Sequence, residues 1–233
     1  MIQMKTLSYI FALFLISTPL FAQKSKSRVS GNVQSVVADT VKSKSSSSEH
    51  FAIGVDVCGA FMAAATSWGQ YEASLRVGFF SPFFPVAEVG LGCSKAKNEE
   101  TDLEFRTHSP YFRIGCDYNF SHRSSFPGRI TAGVRYGFSR FSFDVKSPDI
   151  SDPIYGNVIP FSATGIKSTM HWAELVAGLE TRIVGPLSLG WTFRFRIRLA
   201  EKTPSIGHAW YVPGFGRNDS NTLGGTFNVI LNL

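Results

Sequence analysis

Cysteine is scarce in this sequence, and the three that occur do not form a disulfide or metal framework. Cys58, Cys93 and Cys116 are an odd number, so a complete set of disulfides within the chain is excluded. No Cys-x-x-Cys spacing and no Cys/His ligand pattern is present, which excludes the common zinc sites. We interpret the cysteines as small apolar packing residues, with one disulfide as the alternative.

Long apolar runs are also rare. The one near the start, Tyr9–Phe21, follows a short basic segment, Met1–Lys5, and precedes a small residue, Ala22, at a cleavage position. This is the order of a secretory signal peptide, and the run is too short to cross a bilayer as a helix. We therefore predict a cleaved signal peptide over residues 1–22, with a retained anchor as the alternative. The residue directly after the cut is Gln23 and not a cysteine, so a lipid anchor is not expected. No later segment reaches ~18 consecutive apolar residues, so no transmembrane helix is expected.

The segment after the predicted cut lacks aromatic residues and has no helical or strand period. Residues 23–50 are rich in Ser, Val and Lys, and Ser45–Ser48 repeats a single residue type. Such a composition is typical of a flexible linker. We predict a periplasmic tether over residues 23–50, followed by one folded domain over residues 51–233.

The basic isoelectric point, about 9.3, does not indicate a nucleic-acid partner. Residues 1–50 contain six basic and two acidic side chains, and so supply +4 of the formal net charge of +6. The predicted domain is close to neutral, and an exported protein meets no duplex. No nucleic-acid partner is therefore expected.

From residue 51 onward, apolar and polar side chains alternate with a period of two, which indicates β-strands. In the segment 187–199 every odd-numbered residue is apolar, and the even-numbered residues are Ser, Gly, Thr and Arg. Successive side chains of a strand point to opposite sides, so this strand has one apolar and one cationic face. No helix is predicted. The pattern predicts eight strands, at residues 51–60, 70–80, 85–95, 108–120, 128–145, 168–183, 186–200 and 223–233.

The polar faces of these strands differ from those of a soluble sheet. Gly, Ser and Thr are joined there by arginines and carboxylates, whereas lysine is absent. Bidentate Arg–carboxylate hydrogen bonds can offset the desolvation of charges in a narrow interior. We therefore predict a structural charge network in the lumen of a closed barrel. Its predicted members are Asp56, Glu72, Arg76, Glu88, Arg113, Asp117, Arg135, Glu174, Glu180, Arg194, Arg196 and Arg198.

The connections favour a membrane barrel over a soluble β-sandwich, which shows the same alternation. Short and long connections alternate, as periplasmic turns and extracellular loops do in outer-membrane barrels. The predicted fold is an all-β, eight-stranded, antiparallel, up-and-down transmembrane β-barrel. The short connections are 81–84, 121–127 and 184–185, and the long ones are 61–69, 95–107, 146–167 and 201–222.

Aromatic residues gather near both ends of the predicted strands, as expected for the belts at two membrane interfaces. Ordinary core packing is the alternative for each residue taken alone. The belt at the short connections is predicted from Phe80, Phe83, Phe84, Phe120 and Phe126. The belt at the long connections is predicted from Trp68, Tyr111, Phe141, Phe143, Trp172 and Trp210.

The last third of the chain resembles a known family. The segments His171–Glu180, Gly190–Leu199 and Trp210–Asn218 are similar to those of small Bacteroidota outer-membrane proteins grouped as domain of unknown function 6048. The Tyr-Val-Pro-Gly-Phe-Gly sequence inside the third segment is the most specific element. The resemblance implies an outer-membrane barrel and carries no activity with it.

No catalytic residue, cofactor or metal ligand is predicted. The sequence lacks the Gly-x-Ser-x-Gly elbow of hydrolases and any glycine-rich phosphate loop before a helix. His171 with the nearby Glu174 is one candidate for a base and its orienting acid. An interfacial histidine is the preferred interpretation.

The segment Trp210–Asn218 has two interpretations. Pro213 and Gly214 favour a tight turn. The loop either folds inward and caps the barrel, which is the preferred interpretation, or forms an exposed recognition loop. The recognition residues would be Trp210, Tyr211, Phe215 and Arg217.

Together these features predict a non-enzymatic outer-membrane protein with a closed lumen and no general diffusion pore. The expected partners are outer-membrane lipid, the barrel-assembly machinery, and an extracellular or envelope protein contacted by the loops. One alternative is a barrel enzyme acting on lipid or peptide at the cell surface. The other is a soluble exported β-sandwich or ligand-binding barrel.

Overall fold

The computed structural model describes residues 51–78, 80, 82–98, 102–123, 128–147, 150–151, 158–159, 162–204 and 207–233. The predicted signal peptide and tether lie outside these residues and stay predictions. Phe126 of the predicted aromatic belt also lies outside them.

Eight antiparallel strands close into one barrel, in which each strand pairs with the next along the chain and the last pairs with the first. This confirms the predicted eight-stranded, antiparallel, up-and-down barrel. The strands are β1 (Phe51–Asp56), β2 (Trp68–Val77), β3 (Phe83–Lys97), β4 (Glu104–Asn119), β5 (Gly128–Lys146), β6 (Ser162–Val184), β7 (Leu187–Lys202) and β8 (Asn221–Asn232).

The two ends of the barrel differ. At the end that we call the turn end, the first and last strands meet, and Leu233 N donates to Phe51 O at 2.8 Å. The two-residue turn between β6 and β7 lies at the same end, where Gly185 adopts a positive φ of 52° that glycine accommodates without strain. The opposite end, which carries the connections 57–67, 98–103, 147–161 and 203–220, is called the loop end.

The strands present apolar side chains outward and polar side chains inward, as predicted from the alternation. Ile114 and Val134, on β4 and β5, are 65% and 57% exposed, and their neighbours Phe112 and Leu175 are exposed as well. The exposed apolar residues of all eight strands form a continuous outer belt. Monomeric soluble proteins rarely expose so large an apolar surface.

The strands near the loop end extend further than predicted. The segment 95–107 was expected to be a long connection, but β3 continues to Lys97 and β4 begins at Glu104, which leaves only residues 98–103 between them. The outward residues of these extensions are polar, so apolar–polar alternation stops although the strand continues. The longest hairpin is β5–β6, whose ladder reaches the pair Lys146 and Ser162.

A helix replaces the predicted end of the first strand. β1 ends at Asp56 rather than at residue 60, and α1 (Val57–Ala65) follows directly, so the expectation of no helix is wrong. Asp56 caps this helix, because its Oδ1 accepts from Gly59 N at 3.1 Å and so satisfies a free amide of the first turn. Cys58 therefore lies on a helix and not on a strand face, and all three cysteines are free.

Helix α1 packs closely against the start of β2. A Cβ on Gly69 would lie 2.2 Å from the backbone nitrogen of Ala63, so only glycine permits this approach. The helix thereby occupies the position beside β2 that the short strand β1 leaves unpaired above Val55. Of the helices in the described residues, none is long and apolar enough to cross a membrane.

Candidate functional site in the barrel lumen

Buried charges fill the middle of the lumen. All eight of these side chains come from inward-facing strand positions, and they were among the twelve predicted from the sequence. We call this group the lumen charge layer. Its members are Glu72, Glu88, Arg113, Asp117, Arg135, Glu174, Arg194 and Arg196.

Arg113 on β4 is the most deeply placed cation of this layer. Its side chain is fully buried, and its Nη1 lies 2.6 Å from Glu72 Oε2 and 3.0 Å from Glu88 Oε2. Its Nε lies 2.9 Å from Glu174 Oε1. Because Glu72, Glu88 and Glu174 belong to β2, β3 and β6, this one guanidinium joins three strands.

Arg194 on β7 completes the layer from the other side of the barrel. Its Nη1 lies 2.6 Å from Glu88 Oε2, and its Nη2 lies 3.1 Å from Glu72 Oε1. β7 and β3 are four strands apart in either direction around the ring, so the pair of Arg194 with Glu88 spans the full width of the lumen. A lumen crossed by ion pairs is filled by protein at this height.

Arg135 forms a bidentate pair with the neighbouring strand. Its Nη1 and Nη2 each lie 2.8 Å from one of the two oxygens of Asp117. Its Nε also donates to Glu88 at 3.3 Å. Two parallel charge-assisted hydrogen bonds fix the geometry as well as the charge. Gly133 lies inside the pair, where a Cβ would come 2.0 Å from Asp117 Oδ1.

Glu174 receives donors from two kinds of side chain. Trp172 Nε1 donates to it at 2.7 Å, and Arg194 and Arg196 lie 3.3 and 3.4 Å away. Removing one partner from such a buried network leaves an uncompensated charge, which typically costs about 3–5 kcal/mol. The network thus holds its strands in one relative arrangement.

A smaller charged group lies nearer the turn end. Arg76 Nη1 lies 2.8 Å from Glu180 Oε2, and Arg129 Nη1 lies 3.4 Å from the same oxygen. Asn232 accepts from Arg76 at 3.2 Å. Between this group and the lumen charge layer is a cavity of about 60 Å³, lined by charged residues of both groups and by small, polar and apolar residues.

Two predicted members of the network lie outside both groups. Asp56 caps α1 and accepts from Gln70 Nε2 at 3.3 Å, and none of the described arginines forms an ion pair with it. Arg198 lies at the loop end, where it pairs with Glu201 at 3.2 Å and donates to Asn218. All twelve predicted residues therefore point inward, but they are divided between two groups and two separate positions.

Sequence reasoning missed Arg129 and Glu201. Arg129 shares the inward parity of Arg135 on β5, so the alternation could have identified it. Glu201 lies beyond a bulge between β6 and β7, which shifts the alternation by one residue, so no pattern in the sequence marks it. With them, the charged groups of the described lumen contain seven arginines and seven carboxylates. The arginines are 76, 113, 129, 135, 194, 196 and 198, and the carboxylates are 56, 72, 88, 117, 174, 180 and 201.

The segment Trp210–Asn218, which we call the inward loop, folds into the lumen at the loop end. Two short strands, Tyr211–Val212 and Gly216–Arg217, pair within it. Arg113 Nη2 donates to Gly214 O at 2.8 Å, and Arg196 Nη1 donates to Phe215 O at 3.0 Å. The lumen charge layer thus binds the backbone of the loop from below. This is the capping arrangement of the two that the sequence allowed.

Close packing holds the tip of the inward loop. Gly214 has a φ of 81°, and a Cβ there would lie 2.5 Å from the Tyr111 ring. On the facing wall, a Cβ on Gly92 would lie 2.8 Å from Pro213 Cα. Both glycines are therefore required by a close approach of backbone to wall.

An apolar cluster surrounds the inward loop. It consists of inward-facing side chains of β4, β5 and β6 and the loop residues that they contact. We call it the outer aromatic cluster. Its buried members are Phe105, Tyr111, Phe141, Phe143, Met170, Trp172, Ala209, Val212 and Phe215.

This cluster corrects the predicted aromatic belt at the long connections. Four of the six belt residues, Tyr111, Phe141, Phe143 and Trp172, lie inside the barrel and are at most 3% exposed. They point inward because they have the same strand parity as the lumen charges. At the turn end Phe84 is likewise buried. The remaining described belt residues, Trp68, Trp210, Phe80, Phe83 and Phe120, are exposed.

The predicted recognition residues are divided by the fold. Phe215 is fully buried against Trp172, so the prediction of a surface contact there is wrong. Tyr211 is half-buried, and burial raises the pKa of its phenol to about 12. Trp210 and Arg217 are exposed, and Trp210 stacks on Phe105 with ring centroids 5.6 Å apart.

The candidate pair of His171 and Glu174 is separated by the barrel wall. Glu174 points into the lumen and is 1% exposed, whereas His171 faces outward, where its Nδ1 lies 2.5 Å from the Tyr136 hydroxyl. A base cannot be oriented by an acid on the other face of its strand. The hypothesis of this catalytic pair is therefore wrong.

Fold and site together define a small closed β-barrel with an apolar outer belt and a charged lumen. The chain belongs to the family described as Domain of unknown function (DUF6048), which matches residues 6–232. The resemblance first seen in the last third thus extends over nearly the whole chain.

Two solved structures are similar to this chain. A major outer membrane protein from Thermus thermophilus is similar with a TM-score of 0.50 and 12% identity, covering 78% of this chain and 98% of that chain. Neisserial surface protein A (NspA) is 11% identical, with a TM-score of 0.43, covering 78% and 94%. No curated protein matches the chain.

Proposed function

We propose that this protein is a non-enzymatic outer-membrane β-barrel whose lumen is closed to solutes. The outer apolar belt supports a membrane setting, because a barrel satisfies all backbone hydrogen bonds between strands and leaves its apolar face for lipid. The eight-stranded outer-membrane barrel fold supports the same location. Lipid and the barrel-assembly machinery are then its expected partners.

The observation that carries the closed lumen is the pair of stacked layers inside it. Seven arginines and seven carboxylates balance in charge, and the ion pair of Arg194 with Glu88 crosses the barrel. Above them the inward loop and its aromatic cluster fill the loop end. At eight strands a barrel interior is just wide enough for side chains to occupy. The function is therefore carried by the surface rather than by a channel.

The exposed surface that the loop end leaves available to a binding partner is smaller than the lengths of its connections suggest. Phe215 and its neighbours are used inside the barrel, which leaves Trp210 and Arg217 exposed from this loop. The β5–β6 hairpin extends beyond the apolar belt, with Arg140 and Lys146 facing outward. We propose this hairpin, together with Trp210 and Arg217, as the surface that an envelope or extracellular partner contacts.

The N-terminal assignments are part of the same proposal. Residues 1–22 are removed on export, and residues 23–50 form the periplasmic tether. N-terminal sequencing of the mature protein tests the cut, which is expected after Ala22.

The membrane setting is tested by an arginine placed on the apolar belt. Val134→Arg should lower the free energy of unfolding in lipid by about 2–4 kcal/mol, because the charge must enter hydrocarbon near the midplane. Thr164→Arg, at an exposed position near the loop end, is the matched control and should change it by less than about 0.5 kcal/mol. Wild-type protein should require detergent for extraction and should shift on a gel when heated. A monodisperse species in plain buffer, with both variants harmless, would contradict the proposal.

A further inference from the structure

A groove of about 510 Å³ lies on the outer surface near the loop end, where β3, β4 and β5 pass the end of helix α1. Lys95 and Arg106 lie on its floor, together with His108 and Asp144. None of these four side chains belongs to the lumen. The groove is therefore separate from the site described above.

The two cations of the groove are direct neighbours. Lys95 on β3 is paired in register with Arg106 on β4. The next pair on the same face towards the turn end is Cys93 with His108. Like charges directly opposite each other on one sheet face repel. Such a pair is stable when an anion lies between them.

Carboxylates of the chain supply only part of the negative charge that these two cations require. Arg106 contacts Glu104 at 3.1 Å, but both side chains are about half exposed, and an exposed pair of this kind contributes little. Asp144 is paired in register with Arg106, and its Oδ1 accepts from Gly165 N at 2.7 Å. Lys95 forms no ion pair within the described part of the chain. Both carboxylates, Glu104 and Asp144, therefore lie beside Arg106, and the positive charge that is left without an ion pair in the groove is that of Lys95.

The position of the groove relative to the apolar belt indicates the source of the anion. On β3 the outward residues run from Leu91 through Cys93 to Lys95, and on β4 from Phe112 to Arg106. Leu91 and Phe112 are exposed members of the belt. A lipid whose acyl chains cover these two side chains would place its headgroup at the level of the cations.

We propose that this groove binds the phosphate group of an anionic membrane lipid between Lys95 and Arg106. The planar guanidinium can bind two phosphate oxygens, and the ammonium supplies a point charge from the opposite strand. His108 lies closest to the belt and can hydrogen-bond to the glycerol or sugar part of the headgroup. This inference depends on the proposed membrane setting.

Native mass spectrometry of the full chain in a neutral detergent tests the proposal. The probes are short-chain phosphatidic acid, the diacylglycerol with the same chains, and inorganic phosphate. Phosphatidic acid should bind, and Lys95→Gln combined with Arg106→Gln should weaken its binding roughly tenfold. Lys202→Gln combined with Arg182→Gln, which removes two exposed cations outside the groove, should leave the affinity within about twofold.

Other results would overturn separate parts of the proposal. Equal binding of the diacylglycerol would overturn the phosphate contact, and equal binding of inorganic phosphate would overturn the lipid as its source. If the double variant does not shift on a gel when heated, it has not folded, and the salt dependence of the wild type decides instead. Phosphatidic acid binding should then weaken as ionic strength rises, and binding insensitive to salt would overturn the proposal. Wild-type protein that is soluble without detergent would reject the membrane setting itself.

Discussion

Two layers of the lumen lie directly on top of each other and use opposite chemistry. The lumen charge layer holds Arg113 and Arg194 against three glutamates, whereas the outer aromatic cluster above it packs Tyr111, Trp172 and Phe215. Both layers include inward-facing side chains of β4, β5 and β6, at different heights along the barrel. Strand parity therefore determines which side of the wall a residue faces, but not the medium that it meets there.

The surroundings of the inward-facing side chains change along the barrel because the inward loop, which is distant in sequence, enters the loop end. The inward loop brings Val212 and Phe215 into the loop end, so the inward side chains at that height are buried against apolar atoms. Lower in the barrel none of the described connections enters the lumen, and the charged side chains there pair with one another. The hydrogen bond from Arg113 to Gly214 O joins the two layers.

The largest expected effect on stability follows from removing one charge of the lumen charge layer. Arg113→Met should lower the free energy of unfolding by about 3–5 kcal/mol, because Glu72, Glu88 and Glu174 then share fewer cations in a buried setting. Chemical denaturation in lipid vesicles measures this loss. Arg217→Met, at a mostly exposed arginine, is the control and should stay within about 0.5 kcal/mol of wild type. Equal effects for the two variants would show that the lumen charge layer contributes no specific stability.

Removing the ring of Phe215 from the outer aromatic cluster should lower the free energy of unfolding somewhat less. Phe215→Ala should lower the free energy of unfolding by about 3 kcal/mol, since it leaves a cavity beside Trp172 that the loop can partly fill. Trp210→Ala, which truncates a partly exposed ring of the same loop, should cost clearly less. If Trp210→Ala proved the more damaging, the loop would be anchored from outside rather than from within the lumen.

The smallest of these effects concerns Asp56, a lumen carboxylate outside both layers. Asp56→Ala should lower stability by about 1 kcal/mol, because the first turn of α1 loses its cap at Gly59 N. Asp56→Asn keeps an acceptor oxygen and should remain close to wild type. A large loss in both variants would mean that the charge of Asp56, and not its hydrogen bond, holds the structure.

The number of strands and the inward direction of the twelve predicted charged side chains were predictable from the sequence. Arg113 and Arg194 were placed inside because alternation holds without interruption over residues 112–120 of β4 and 187–199 of β7. The same parity also placed Tyr111 and Phe141 inside, but their aromatic character suggested a membrane interface instead. Parity was the better guide, because strand geometry constrains direction more strongly than residue type does.

Other features depend on contacts that no local pattern contains. Arg194 and Glu72 are 122 residues apart and meet only because the barrel closes. Helix α1 follows from the cap at Asp56, whose partner Gly59 was assigned to a strand. The inward position of the loop depends on Gly92, which allows Pro213 to approach the wall, and on Gly214, which allows the loop to approach Tyr111. Sequence periodicity reports on one strand at a time and cannot predict such pairs.

The conductance of purified wild-type protein in planar lipid bilayers tests the closed lumen most directly. With the ion pair of Arg194 and Glu88 across the barrel and Phe215 packed above it, insertion should give no steady conductance. A large, stable conductance of the wild-type barrel would contradict the closed lumen, because ions would then pass through the two layers that fill it.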